Sequence, residues 1–134
     1  MPERTDPAAR LLLVSGDDAV IEEVLRLAID CGTVTVVHEA AAAGRSWVDA
    51  ALVVVGDDQA FAVARAALPR RPGVVLVGTD TNDPGVWRRA VAIGAEHVIF
   101  LPEARDWLME RMSRREGSAR AALVVAVLGG RGGA

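Results

Sequence analysis

The chain has 134 residues, the size of one ordinary domain, and its hydrophobic fraction of 51% is enough to build a core. Its formal net charge of -3 offers no electrostatic basis for binding nucleic acid, so no nucleic-acid partner is expected. The single cysteine, Cys31, excludes an internal disulfide and a paired-cysteine metal motif, and no metal site is expected.

The N-terminal residues carry no targeting signal. Residues 1–6 are mostly polar, without the basic and apolar regions of a signal peptide, and we expect residues 1–9 to form a tail. No apolar run approaches the length of a membrane span, so no membrane segment is expected. These features predict a cytoplasmic protein.

The first half of the chain alternates short apolar runs with helical patterns. Asp18 is expected to cap the first helix, and Glu22 and Glu23 suit the positive N-terminal end of that helix. Residues 40–48 form at most a short helix, and Asp58 is expected to cap the helix after the third strand. The strands predicted here cover residues 11–14, 33–37 and 52–55.

The second half continues the alternation with strands at residues 74–77 and 98–101. Asp83-Pro84 supplies a capping carboxylate and a proline at the first position of the fourth helix, and a fifth helix covers about residues 103–115. The fourth helix is expected to place four residues on one face: Trp87, Ala90, Val91 and Gly94.

These elements predict an α/β fold for residues 10–115. Strands that are continuously apolar are typical of a parallel sheet buried on both faces by helices. Five β/α units then give a doubly wound, five-stranded parallel sheet, in the flavodoxin-like order 2-1-3-4-5.

A second domain is expected to begin near residue 120, after a linker at residues 116–119. Residues 120–128 have the pattern of a buried strand, and a strand leading into a glycine-rich turn is typical of a phosphate-binding loop. Glycine runs also occur in flexible tails, which is the alternative. Residues 120–134 are interpreted as a first strand and an incomplete loop, with nucleotide-binding candidates Gly129, Gly130, Arg131, Gly132 and Gly133.

A strand without its own sheet is not stable in water. We expect residues 120–128 to be disordered, to extend the last helix, or to add to a sheet edge in the same or a neighbouring molecule. The favoured prediction is a strand taken up by another chain, with residues 129–134 mobile.

A receiver-like domain followed by a strand and Gly-Gly-Arg-Gly-Gly-Ala resembles the actinobacterial septum site-determining (Ssd) proteins and the related CpaE/TadZ proteins of pilus-assembly and secretion gene clusters. These are MinD/ParA-like proteins with an atypical receiver domain in front. The resemblance implies a regulatory or localising domain that is not an enzyme. Its implied partners are its own C-terminal ATPase domain and a protein of the division or secretion machinery, with recruitment to the septum or cell pole.

The resemblance implies no cofactor within these residues, with ATP and Mg²⁺ confined to the longer protein. Arg131 stands where the ATPase loop of that superfamily has a lysine, which departs from its pattern.

The receiver motifs themselves are replaced. The resemblance places the Mg²⁺-binding acidic pair on Ser15 and Gly16, the phospho-accepting aspartate on Gly56, the hydroxyl residue on Gly78 and the lysine on Leu101. Aspartyl phosphorylation needs carboxylates for Mg²⁺ and a cation for the phosphoryl oxygens, so the switch chemistry is expected to be lost. The residues next to these positions, Asp17, Asp57 and Thr79, complete the degenerate site.

Two alternatives stay open. Asp17, Asp18 and Asp57 are expected at the ligand-binding edge of the sheet, where they could form a displaced phospho-acceptor site with Asp57 as acceptor. Otherwise Asp18 and Asp58 cap helices, and the remaining carboxylates, including Asp80 and Asp83, are solvated loop residues. A ligand-binding flavodoxin-like domain is a third, weaker interpretation.

The three tryptophans are most simply core residues, since tryptophan is mostly buried. Tryptophan is also enriched at interface hot spots, and the face formed by the fourth and fifth helices is a common dimer surface in receivers. A homodimer through this face, or an acidic partner, is therefore expected, with candidate interface residues Trp87, Arg88, Trp107 and Arg111.

Overall fold

A computed structural model describes residues 10–29, 33–116 and 124–128, with residues 33, 113–116 and 124–128 described by their backbone alone. The described residues form five α-helices: α1 (Asp18–Leu27), α2 (Ser46–Asp49), α3 (Ala60–Ala66), α4 (Gly85–Ile93) and α5 (Arg105–Glu116). The strands are β1 (Arg10–Val14), β2 (Thr33–Val37), β3 (Leu52–Gly56), β4 (Val74–Gly78), β5 (His97–Phe100) and β6 (Val124–Leu128).

All described strands belong to one parallel sheet in the order β5-β4-β3-β1-β2-β6. The predicted order 2-1-3-4-5 of the first five strands is confirmed. Helices α2, α3 and α4 pack on one face of the sheet and α1 and α5 on the other, so both faces are covered.

The sixth strand corrects one prediction. Residues 124–128 add to the β2 edge of their own sheet, so the prediction that another chain takes up this strand is wrong. The physical reason is that β2 would otherwise be an edge strand with unpaired backbone groups, which pair with residues 124–128. The predicted linker, residues 120–123 and the glycine run at 129–134 lie outside the described residues.

The sheet divides the core into two layers because successive strand residues point to opposite faces. Leu12 and Val53 pack under α2, α3 and α4, whereas Leu13 and Val54 pack under α1 and α5. Trp47 of α2 is 1% exposed, and its indole N–H donates to the Pro69 carbonyl at 2.7 Å. No helix in the described ranges is long and apolar enough to span a bilayer.

The buried face of α4 differs from the predicted one. Val86, Ala90 and Ile93 face the core, whereas Trp87 and Val91 are 58% and 72% exposed. Both sets fit a helical period, so the pattern alone could not separate them.

Candidate functional site

The candidate site lies at the carboxyl ends of the strands, where parallel α/β sheets bind ligands. A cavity of about 340 Å³ opens there between the start of α1 and the ends of β4 and β5. Predicted site residues lining it are Asp17, Gly78, Thr79 and Leu101, and Glu23 and Pro102 also line it.

Asp58 ties the end of β3 to the end of β1. The buried Ser15 hydroxyl donates to Asp58 Oδ1 at 2.8 Å, and the Gly16 N–H donates to Asp58 Oδ2 at 2.7 Å. Both carboxylate oxygens are thus used by another loop, and the prediction that Asp58 caps α3 is wrong. The Asp17 N–H donates to the same Ser15 hydroxyl at 3.1 Å.

The cap of α1 is Asp17 rather than Asp18. Asp17 Oδ1 accepts a hydrogen bond from the Ala19 N–H at 3.0 Å, and Asp18 is the first helical residue. The Asp17 side chain therefore accepts from an N–H of the first turn that would otherwise be unpaired. The cap lies one residue before Asp18, the predicted cap.

The position of the expected phospho-acceptor is closed. A Cβ atom on Gly56 would lie 2.5 Å from Asp58 Oδ1 and 2.6 Å from Ser15 Oγ. The contact between Asp58 and Ser15 occupies the space that a side chain at position 56 would need. The loop is therefore built around the absence of a side chain at that position.

Asp57, the candidate displaced acceptor, is bound to Arg89 of α4. Arg89 Nε and Nη2 donate to the two Asp57 oxygens at 2.7 and 2.9 Å, and Nη2 also donates to Asp83 Oδ2 at 2.7 Å. The Asp57 side chain is 13% exposed and that of Arg89 is 31% exposed. A planar guanidinium suits this two-pronged contact with a carboxylate, which adds directionality to the charge attraction.

The Arg89 cluster shifts two pKa values. Hydrogen bonds to Asp57 and then to Asp83 raise the pKa of Arg89 above its ordinary value. The hydrogen bond from Arg89, and then that from the Gly85 N–H, lower the pKa of the Asp83 carboxyl. The N-cap residue of α4 is Pro84, which was predicted to be the first helical residue, and Asp83 precedes it. The Asp83 carboxylate accepts from the N–H of Gly85, the first residue of α4, and it also shares the arginine with Asp57.

The ends of β4 and β5 complete the site without charge. A Cβ atom on Gly78 would lie 2.5 Å from Phe100 Cε1, so the Phe100 ring occupies the place of a side chain there. Leu101 lines the cavity, and its peptide bond to Pro102 is cis. No cationic residue is among those that line this cavity.

Two residues were missed by the sequence analysis. Arg89 was not among the predicted site residues, and the glutamates of the first helix were considered only for their favourable charge near its N-terminus. Glu23 Oε1 accepts from Arg26 at 2.9 Å, while its buried Oε2 has no hydrogen-bond partner. No sequence signal could have joined Arg89 to Asp57, because the two residues are 32 positions apart.

The other predicted carboxylates make local contacts or form no shared site. Asp80 Oδ1 accepts from the Asn82 N–H at 2.9 Å, which forms a tight turn. Within the described ranges, no three histidine, cysteine or acidic side chains lie together in a way that could hold a metal ion. Gly129, Gly130, Arg131, Gly132 and Gly133 lie outside the described residues.

The predicted interface residues fall into two groups. Trp87 and Arg88 are exposed on α4, whereas Trp107 is partly buried on α5. The Trp107 ring lies 4.9 Å from that of His97, and the Arg111 guanidinium lies 5.5 Å from the Trp107 ring. Trp107 and His97 line a cavity of about 540 Å³ beside β5.

The comparisons with known proteins agree with this fold. The family model of Rv3660c-like, CheY-like N-terminal domains matches residues 14–123. The uncharacterized protein Rv3660c of Mycobacterium tuberculosis H37Rv and its counterpart MT3760 in strain CDC 1551 are each 38% identical over 126 residues. Those residues are 88% of this chain but only 35% of each relative, so the chain spans about a third of their length.

A crystal structure of a pilus assembly-related protein from Burkholderia pseudomallei has the same fold. It superposes with a TM-score of 0.55 at 18% identity, over 90% of this chain and all of that one. The family match over most of the chain, together with the receiver order of its strands, shows that the chain belongs to the Rv3660c-like family of CheY-like N-terminal domains.

Proposed function

We propose that this chain is a non-catalytic regulatory or localising domain, and that its receiver site no longer accepts a phosphoryl group. The observation that carries the proposal is the two-pronged contact between Arg89 and Asp57. An aspartate attacks a phosphoryl group with a free carboxylate oxygen, and both Asp57 oxygens already accept hydrogen bonds from a guanidinium.

The surrounding residues support the same conclusion. Mg²⁺ takes oxygen ligands in near-octahedral geometry, and carboxylates usually supply them. Here Asp58 is used by Ser15 and Gly16, and Asp17 caps α1. Leu101 supplies no positive charge for phosphoryl oxygens, so neither the metal nor the transferred group has a prepared site.

The cellular role proposed for the longer protein is septum-site determination or the placement of a pilus or secretion system. In this proposal the domain precedes a MinD/ParA-like ATPase domain that binds ATP and Mg²⁺, and it recruits that domain to the septum or cell pole. Support comes from the glycine-rich sequence at residues 129–133, from relatives about three times as long, and from the fold shared with a pilus assembly-related protein. The proposed partner is a protein of the division or secretion machinery. The proposed location of this protein is the cytoplasm.

The test is treatment with acetyl phosphate and Mg²⁺, followed by intact-mass and peptide mass spectrometry. We expect no phosphorylated species from the natural chain. The Arg89→Gln variant is treated in parallel with the natural chain, because it removes the guanidinium that binds Asp57 and leaves every carboxylate in place. A phosphoryl group on Asp57 of the natural chain would instead establish the alternative, a phospho-accepting receiver with a displaced site.

A further inference from the structure

We propose that the outer edge of β2 is a strand-docking site for residues 124–128, which leave it when they enter the sheet of a following nucleotide-binding domain. The departure of the strand rests on the proposed function, because it requires a MinD/ParA-like domain after this one. The docking itself rests on the present structure alone.

The docking contact is a regular parallel ladder. Thr33 to Val37 of β2 lie opposite Val124 to Leu128 of β6, residue for residue. β6 is thereby the outermost strand on this side of the sheet. The contact covers every residue of both strands, so β2 is fully paired on its outer side.

The sequence of β6 is unusual for an outermost strand. Its five residues, Val-Val-Ala-Val-Leu, are all apolar, like those of the central strands β3 and β4, in which every residue is buried. Outer strands usually carry polar or charged residues that discourage further pairing. β2 has this character, with threonine at positions 33 and 35. β6 thus has the composition of a strand that is central in some sheet.

The two positions exclude each other. A central strand uses the backbone N–H and C=O groups on both of its edges, whereas β6 already gives one edge to β2. A second sheet can therefore hold residues 124–128 as a central strand only after β2 has released them. Any ligand that favours the second arrangement shifts the population away from the first.

The docking is tested by a disulfide between aligned positions in a Cys31→Ser background. Thr35 lies opposite Ala126, and aligned Cα atoms of neighbouring strands are about 4.8 Å apart, within disulfide range. We expect Thr35→Cys/Ala126→Cys to close an intramolecular disulfide under mild oxidation. The control, Thr33→Cys/Ala126→Cys, is displaced by two residues, or about 8 Å between Cα atoms, and should stay reduced. Equal closure in both pairs, or only intermolecular disulfides, would overturn the docking site.

The competition is tested in the longer protein by calorimetric titration with MgATP. We expect the closed disulfide of Thr35→Cys/Ala126→Cys to weaken MgATP binding at least tenfold, with full recovery on reduction. Oxidant should not change MgATP binding by the control variant. Equal affinity of the oxidised and reduced forms would overturn the competition. Failure of the reduced protein to bind MgATP would contradict both the proposed ATPase domain and the competition. The docking site would still be tested by disulfide closure in the two cysteine pairs.

Discussion

At the scale of single residues, Arg89 is the feature on which the proposed loss of phospho-acceptor chemistry depends. It brings a fixed positive charge to Asp57 and Asp83, where a receiver would need an exchangeable cation. Because an arginine side chain cannot dissociate, the charge balance of the site does not depend on Mg²⁺.

Arg89→Gln should destabilise the fold by roughly 1–2 kcal/mol, because it removes charge-assisted hydrogen bonds that are only partly exposed. Arg88→Gln is the matched control, since Arg88 is an exposed neighbour on the same helix, and it should change stability by less than about 0.5 kcal/mol. Urea denaturation followed by circular dichroism measures both values. Equal effects of the two substitutions would show that the Arg89 contacts do not stabilise the fold.

Asp83 gives the cluster a defined pH dependence. Its pKa is lowered in the folded protein from the ordinary 3.8, so its contribution is complete above that value and is lost as pH falls through the lowered one. The stability difference between the natural chain and Asp83→Asn should be constant from about pH 5 to 7 and should shrink below about pH 4. Denaturation curves at several pH values measure it, and a difference independent of pH would contradict the pairing with Arg89.

Single residues also mark the limit of the sequence analysis. Asp57 was singled out as the neighbour of the expected acceptor position, whereas Asp58 was predicted only as a helix cap. Their partners were not predictable, because Ser15 is 43 positions from Asp58 and the contact exists only once β1 and β3 are paired. Local patterns identify caps and strand ends, whereas side-chain pairs across strands depend on the folded sheet.

At the scale of elements, β4 and β5 are fitted to each other through Gly78 and Phe100. Gly78→Ala should cost roughly 1–3 kcal/mol, because the new methyl group would meet the Phe100 ring. The double variant Gly78→Ala/Phe100→Leu should recover part of the loss relative to Phe100→Leu alone, a coupling that thermal or urea denaturation can measure. Strict additivity of the two substitutions would contradict the contact.

The orientation of α4 follows from its anchoring by Arg89. Arg89 and Trp87 are two residues apart, or about 200° around a helix, so the contact of Arg89 with Asp57 directs Trp87 away from the cluster. The apolar residues of α4 fitted two helical faces equally well in the sequence. The first five strands were predicted within one residue at each end because continuous apolar runs leave little choice of structure.

Two tryptophans should respond differently to truncation for this reason. Trp47→Ala should cost about 3–5 kcal/mol, since the side chain is 1% exposed in the core. Trp87→Ala should cost much less, because more than half of the residue is exposed to solvent. Denaturation midpoints compare the two, and similar losses would contradict the placement of Trp87 on the surface.

At the scale of the whole molecule, the exposed Trp87 and Val91 leave an apolar surface on α4 beside the β5 edge of the sheet. If the proposed homodimer uses this surface, Trp87→Asp should weaken self-association measured by light scattering at high concentration. Phe61→Asp is the matched control, since Phe61 is 68% exposed on α3. A natural chain that stays monomeric, or equal weakening by both variants, would count against this interface.

In the proposed function, the receiver site is closed to a phosphoryl group because Arg89 binds both oxygens of Asp57 while Ser15 and Gly16 donate to those of Asp58. The most direct measurement is an NMR titration of the ¹⁵N-labelled chain with Mg²⁺ and beryllofluoride, a mimic of the aspartyl-bound phosphoryl group. We expect no saturable shifts at the amides of Asp57, Asp58 or Thr79. Saturable shifts at these amides that disappear in Asp57→Asn would contradict the proposed function.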